Sequence, residues 1–384
     1  MKTKDAGDYA GSEQIAIGSG KDALSRAPWL YNRRFKKSGF FVELRENDLV
    51  YPEYYSVHCV DGVGTKLFLA PWSADFSSPS IDGINMNAND MATILNAYPD
   101  SVNIYIATQT EVEEKYMGEI MNGIVTGLSS MRSPNAQWTI NIGKIETASL
   151  DEMISSCVQN RGYDLGVVMT GFIKKSKVPN LNPISGNVIV GVSSTGLHSN
   201  AYTDARHIFF SEEVEYRDEW KSQYRGRFRL DDRPKILEGK SILEAMKVPT
   251  ASYFAEARII GDSIDDRDIF GVNITGGGFS NFNRVGEDLS FEITDPLDPL
   301  PIHLLLAQES GWSPEKLYKK QNMGMGFAYI APSLKIAEEI VKITESRREH
   351  TAKIAGEIRQ NSSKGLRTII HNSYDGGPIT IEGY

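Results

Sequence analysis

The chain has 384 residues, of which 40% are hydrophobic and 24% charged, with a formal net charge of −9. That length suits two globular domains, and that apolar content excludes a disordered chain. The acidic balance argues against a general nucleic-acid or anionic-membrane binder, while leaving room for a local basic phosphate site.

Cys59 and Cys157 are the only cysteines. Two cannot form a disulfide framework or a cysteine-built zinc site, so a reducing, cytoplasmic compartment is expected. Residues 1–28 carry scattered charges without an apolar core, so no signal peptide is expected. No apolar run approaches the roughly 18 residues of a membrane helix.

Residues 9–28 are polar and read as an arm leading into a short helix; Lys21 follows Gly18-Ser19-Gly20. Tyr54 to Val60 is β-branched and aromatic and reads as a buried strand. It runs into Asp61-Gly62-Val63-Gly64-Thr65-Lys66. Two nearby glycines let a backbone turn sharply and approach a ligand. An acid there can hold a divalent metal, and N–H groups, Thr65 and Lys66 can hold phosphate oxygens. A strand-ending turn capped by Asp and Gly is the competing reading.

Ser80 to Met91 reads as a helix carrying Asp82 and Asp90, with Met86, Met91, Ile94 and Leu95 as its apolar side. Eight residues is a little over two turns, which puts the two acids within about 80° of each other. They are either metal-binding partners of Asp61 or a solvated outer face. Val102 to Ala107 reads as a strand. Val112 to Arg132 reads as an amphipathic scaffold helix, with Met117, Ile120, Met121, Ile124 and Leu128 on one side. Gln137 to Ile145 is a strand leading to Glu146, and residues 164–173 form another. Lys174 to Pro183, rich in Lys, Asn and Pro, reads as a linker.

Val188 to Val192 opens a second unit as a strand, followed by Ser193-Ser194-Thr195-Gly196-Leu197-His198-Ser199-Asn200. A hydroxyl-rich loop before a helix start presents N–H groups to an anion. His198 within it can donate, accept or shuttle a proton. Residues 211–234 are a charged surface excursion. Asn273 to Phe279 places three glycines, Gly276, Gly277 and Gly278, after a strand. Ser333 to Arg347 reads as a helix capped by Ser333, and residues 351–358 as a strand.

Several of these stretches, in order, resemble the aminoimidazole ribonucleotide synthetases, the phosphoribosylformylglycinamidine cyclo-ligases of the PurM-like superfamily. Val60–Ala70, VDGVGTKLFLA, is similar to their signature. SIDGINMNANDM is similar to Gly-Ile-Asp followed by Val-Asn-Asp, and SSTGLHSN to Ser-Ser-Gly-x-His-Ser-Asn, with Tyr202 and Arg206 in the places that follow. Lys4-Asp5-Ala6-Gly7, Ile274-Thr275-Gly276-Gly277-Gly278, Asn283-Arg284-Val285 and Asn322-Met323-Gly324-Met325-Gly326 extend the match to about Ile358. The chain departs from the pattern at Asn96-Ala97-Tyr98, Ile104, Gly143-Lys144-Ile145, Ala201, Ala251, Asn273 and Lys319-Lys320-Gln321. Ala251 stands where the family has a basic residue, Asn273 where it has His, and Lys319-Lys320-Gln321 where it has Arg-Thr-Phe.

The resemblance implies an α/β (α+β) fold of two domains, each a mixed sheet with helices on one face. The boundaries would be 1–175 for nucleotide, metal and dimer contacts and 176–384 for substrate. It implies ATP and Mg²⁺ as cofactors, a homodimer, and conversion of formylglycinamidine ribonucleotide to aminoimidazole ribonucleotide. It assigns Lys66, Asp90 and His198 to catalysis. Nucleotide binding falls to Lys21, Asp61, Gly62, Gly64, Thr65, Lys66 and Asp82. Ser194, Thr195, His198, Ser199, Asn200, Gly276 and Gly277 would bind substrate, and Asp61, Asp90 and Glu146 the metal. Another ATP-dependent enzyme of the superfamily, or a nucleotide-binding relative without turnover, are the alternatives. The selenophosphate branch would want an N-terminal catalytic Cys, absent from residues 1–58, and the hydrogenase-maturation branch a reactive C-terminal Cys, where this chain has Glu382-Gly383-Tyr384.

Overall fold

The computed structural model describes residues 35–36, 41–46, 50–110, 114–132 and 139–383. Lys21, the Lys4–Gly7 match and the expected N-terminal arm lie outside them.

Two mixed sheets account for the strands. The first contains β1 (Phe35–Lys36), β2 (Glu43–Glu46), β3 (Tyr54–Gly62), β4 (Tyr98–Thr108), β5 (Asn141–Ser149) and β6 (Tyr163–Lys174), in the order β1-β2-β3-β6-β4-β5. Its neighbours are antiparallel except β4 and β5. The second contains β7 (Val188–Ser193), β8 (Phe270–Asn273), β9 (Leu289–Ile293), β10 (Met325–Ala331), β11 (Ala352–Gln360), β12 (Arg367–Ile370) and β13 (Ile379–Glu382). Their order is β13-β12-β9-β11-β7-β10-β8, with β12 and β9 the parallel pair.

Alternation along β3 and β6 sorts their side chains between two faces. Val57, Cys59, Leu165, Val167 and Met169 are buried beneath α1 (Ser77–Ala92) and α2 (Glu114–Ser130). The two helices approach closely because α2 carries glycines one turn apart. A Cβ at Gly123 would lie 2.2 Å from the Ser77 carbonyl oxygen, and one at Gly127 2.7 Å from Ile84 Cβ. The other face of this sheet exposes Val60 (71%), Tyr105 and Val168.

In the second unit, β10 is buried along its whole length. The helix expected over 333–347 runs from Leu334 to Ser346, and the Ser333 hydroxyl accepts from the Ile336 N–H. Two C-terminal strands, β12 and β13, extend the sheet beyond the last stretch read from the sequence. The charged 211–234 excursion is a series of short turns whose cations are mostly paired, Arg217 with Glu215 and Arg229 with Glu213 among them. Among the described residues, no helix is long and apolar enough to cross a membrane.

Candidate functional site

The DGVGTK loop follows β3 and bends at once into a short 3₁₀ helix, Gly64–Phe68. Gly64 has φ +66°, a left-handed conformation that favours glycine. The turn points Lys66 inward. Its ammonium is fully buried and donates to Asp82 Oδ1 at 2.9 Å, the His198 carbonyl at 3.1 Å and the Val248 carbonyl at 2.8 Å. An ammonium has three protons, so all of them are used. Burial lowers the Lys66 pKa, and the Asp82 carboxylate opposes that shift. Lys66 is therefore a tie between the two units in this structure, which differs from the expected open phosphate contact.

Asp82 is equally enclosed. Besides Lys66 it accepts from the Thr250 N–H at 2.6 Å, the Thr250 hydroxyl, and Ser199 Oγ at 3.3 Å. One and two turns further along α1, Asn85 Nδ2 donates to the Thr250 carbonyl at 2.7 Å and Asn89 Nδ2 to the Ala251 carbonyl at 2.8 Å. Asn89 Oδ1 also accepts the Tyr253 N–H at 2.8 Å. Asp82, Asn85 and Asn89 form one stripe of the helix because side chains three and four apart share a face. The stripe holds residues 248–253 of the second unit to the first. Asp82 is thus an inward-facing anchor, and neither the solvated acid nor the metal partner that its spacing to Asp90 allowed.

The three acids expected around a metal are not assembled. Asp61 pairs with Val167 on β6, which pairs with Ile104 on β4, on the helix-covered face. Glu146, on edge strand β5, pairs with Tyr105 on the opposite face. It is exposed and bridges Lys144 at 2.6 Å. Strand alternation separates Glu146 from Asp61 in face, and β6 and β4 separate them in distance. Asp61 Oδ1 accepts from the Gly62 N–H at 2.7 Å, and Asp90 Oδ1 from Asn273 Nδ2 at 3.0 Å. Among the described residues, no group of three or more His, Cys, Asp or Glu is placed to hold a metal. These residues of a single chain therefore do not fit a magnesium site.

The 193–200 loop leaves β7 and packs on β10. His198 is 4% exposed and adopts φ +55°. Its Nε2 accepts the Thr195 N–H at 3.2 Å, which assigns the proton of the neutral ring to Nδ1. Burial, then the Lys66 charge, holds its pKa well below the ordinary value. The ring presents a neutral N–H donor. Gly326 makes room for it: a Cβ there would lie 2.1 Å from Tyr253 Oη and 2.5 Å from His198 Cε1. Tyr253, whose hydroxyl donates to the Ser193 carbonyl, lies between His198 and His350 at ring-centroid distances of 6.2 and 4.9 Å.

Around this loop, Thr195 is exposed and its hydroxyl donates to the Pro249 carbonyl. Thr65 Oγ1 lies 2.8 Å from Thr203 Oγ1, another contact between the two units. Ser194 is buried, and its Oγ has no partner among the described residues. Ser199 reaches Asp82, and Asn200 is met by Thr275 Oγ1 at 3.4 Å. Gly276 and Gly277 are half-buried beside Thr275, with Gly277 at φ +95°. The expected helix-start anion cradle is only partly realised. The Ser194 N–H goes to Gly324, Thr195 N–H to His198 and Asn200 N–H to Leu197. Thr250, Tyr253, Asn85 and Asn89 were not among the expected site residues; the first two lie in Leu243–Tyr253, LEAMKVPTASY, which resembles the family's Leu-x-Pro-Thr-Arg/Lys-x-Tyr apart from Ala251.

No protein-family model matches the chain. Among curated proteins, it is 31% identical over 311 residues to phosphoribosylformylglycinamidine cyclo-ligase of Methanococcus vannielii, covering 80% of this chain and 79% of that one. It is 32% identical over 324 residues to the enzyme of the same name from Methanosarcina barkeri, covering 84% and 85%. Among solved structures, a HypE–HypF complex matches with a TM-score of 0.57 at 13% identity, over 95% of this chain and 99% of that one. Thermotoga maritima PurL complexed with FGAR matches with a TM-score of 0.52 at 12% identity, over 91% of this chain. The chain spans less than half of that PurL chain, 48%. The structural likenesses identify the PurM-like fold, and the sequence relatives identify the branch. The chain belongs to the phosphoribosylformylglycinamidine cyclo-ligase family, whose members are ATP-dependent ligases.

Proposed function

We propose that this protein converts formylglycinamidine ribonucleotide and ATP to aminoimidazole ribonucleotide, ADP and phosphate. The observation that carries this reading is the 31% identity to a cyclo-ligase across about four-fifths of both chains. An amide oxygen is a poor leaving group. Phosphorylation turns it into a phosphate, and a nitrogen of the same molecule then closes the ring. The protein's part in such a reaction is chiefly positioning and charge stabilisation. His198 offers a neutral Nδ1–H donor to substrate in a buried setting, where hydrogen bonds are strong. Ser194, Thr195, Ser199, Asn200 and the Gly276-Gly277 turn surround that position as substrate contacts. Gly62, Gly64 and Thr65 are the nucleotide-side contacts, with Asp90 at the edge of the same junction.

Magnesium enters this reading as the companion of ATP, with no step assigned to a site built from Asp61, Asp90 and Glu146 of one chain. A cytoplasmic homodimer is part of the proposal. The exposed apolar residues Val60, Tyr105 and Val168 on the open sheet face support pairing there. One observation favours a second reading, a nucleotide-binding relative without turnover: Lys66 has no proton left for a phosphate in this arrangement. Measuring ATP hydrolysis with and without formylglycinamidine ribonucleotide separates the two. Substrate-dependent release of ADP supports the cyclo-ligase, and ATP binding without it supports the relative.

A further inference from the structure

Three buried amide side chains, one at the end of the 193–200 loop and two beside it, each keep one polar atom without a partner among the described residues. Gln321 is fully buried; its Nε2 donates to the Asn200 carbonyl at 3.1 Å and its Oε1 is unpartnered. Asn281 is fully buried; its Nδ2 donates to the carbonyls of Gly276 and Gly278, at 3.1 and 2.8 Å, and its Oδ1 is unpartnered. Asn200 is 4% exposed, with Oδ1 near the Thr275 hydroxyl and Nδ2 unpartnered.

The contacts place these groups in one neighbourhood. Gln321 and Thr275 both touch Asn200, Asn281 clasps the glycine turn that follows Thr275, and a Cβ on Gly278 would lie 3.0 Å from the Gln321 carbonyl oxygen. The amide orientations of Gln321 and Asn281 are fixed, because a flip would set oxygen against a carbonyl oxygen. Both therefore offer acceptors. Buried polar atoms in native proteins are almost always satisfied, so such atoms call for a partner, either an ordered water or a bound group. At neutral pH a phosphate ester dianion has no proton to give an acceptor, whereas amidine, amide and hydroxyl groups do.

We infer that Gln321 Oε1 and Asn281 Oδ1, with the Asn200 amide, form a subsite for the N–H- or O–H-bearing part of the substrate and not for its phosphate. This rests on the cyclo-ligase reading. Gln321 lies in the Lys319-Lys320-Gln321 stretch, which departs from the family pattern, so the contact distinguishes this chain.

The test is calorimetric titration of wild type, Gln321→Met and Gln321→Phe with three ligands: formylglycinamidine ribonucleotide, the corresponding riboside without phosphate, and ATP. Phe is the residue the family pattern carries there, which guards against a variant that fails to fold. The expected result is a loss of affinity of about tenfold for both ribonucleotide and riboside, with ATP affinity unchanged. Unchanged affinity for both would mean that the atoms meet only an ordered water, which overturns the subsite. A loss for the ribonucleotide but not the riboside would put the phosphate there, which also overturns it. If wild type itself does not bind the ribonucleotide, the cyclo-ligase reading fails and the subsite falls with it.

Discussion

The Lys66 ammonium lies 2.9 Å from each carboxylate oxygen of Asp82, and both side chains are wholly removed from solvent. The pair joins the loop after β3 to α1, and through the Val248, Thr250 and His198 backbones it ties both to the second unit. Removing one member of a buried pair leaves an uncompensated charge, typically costing about 3–5 kcal/mol. Lys66→Ala should therefore lower the unfolding free energy from urea titration by an amount of that order, with a lower midpoint, and Lys66→Met with Asp82→Leu should recover much of it. A midpoint that does not move in Lys66→Ala would rule out this role.

Gly326→Ala probes the space around His198. Its methyl group would meet Tyr253 Oη and His198 Cε1 well inside contact distance. Substrate-dependent turnover should fall by about tenfold or more, on the scale of a lost hydrogen bond from a displaced donor. ATP affinity should hold. Equal turnover in the variant and wild type would show that His198 need not sit where it does.

His198→Ala separates substrate from nucleotide. Loss of its donor should reduce substrate-dependent ATP hydrolysis by roughly ten- to a hundredfold, with ATP affinity little changed. Because burial and Lys66 keep the ring neutral, wild-type turnover should show no inflection near pH 6–7 that His198→Ala removes. Collapse of ATP affinity instead would mean that the two sites are assigned the wrong way round.

Glu256 is 1% exposed on the helix Phe254–Ser263, with neither carboxyl oxygen hydrogen-bonded among the described residues. Burial raises its pKa well above the ordinary 4.5. Folded, it keeps a proton that the unfolded chain gives up above about that pH, so its contribution to stability is lost as pH rises. Glu256→Gln should gain stability over wild type at pH 8, and the gain should shrink toward pH 4, read by denaturant titration at each pH. His303 runs the other way. Burial holds it down to about 3, so the stability of its neutral form is lost as pH falls below its ordinary 6.5. A Glu256→Gln gain independent of pH would contradict the buried-acid account.

Val168→Asp tests the open sheet face. If that face pairs two copies, a charge at this 39%-exposed position should convert a dimer to a monomer in light scattering without lowering the melting temperature much. A wild-type protein that is monomeric at micromolar concentration would remove the assembly proposal.

Local pattern carried much of the fold. Apolar side chains at three- and four-residue spacing marked α2, the Ser333 hydroxyl marked the start of its helix, and β-branched runs marked β3, β6 and β7, because these signals depend on neighbours in sequence. The alternating Ile379-Thr380-Ile381-Glu382 of β13 carried a strand signal of the same kind; it lay beyond the last family match and drew no reading. The SSTGLHSN loop was legible as a candidate site because its composition is unusual, whereas the burial of its N–H groups by Gly324 and His198 was not.

The sequence by itself determined two α/β units, the glycine turn after β3, the His198 loop and membership in the cyclo-ligase pattern. Tertiary structure alone decided what the charged residues of those motifs touch. Asp82 meets Thr250 across 168 positions of chain, and helical spacing could say which side of α1 it occupies but not what covers that side. Glu146 and Asp61 differ in face because of strand register, which no local pattern records. Long-range pairing sets the environment of a charge, and the environment determines whether a carboxylate is an anchor, a surface ion pair or a ligand.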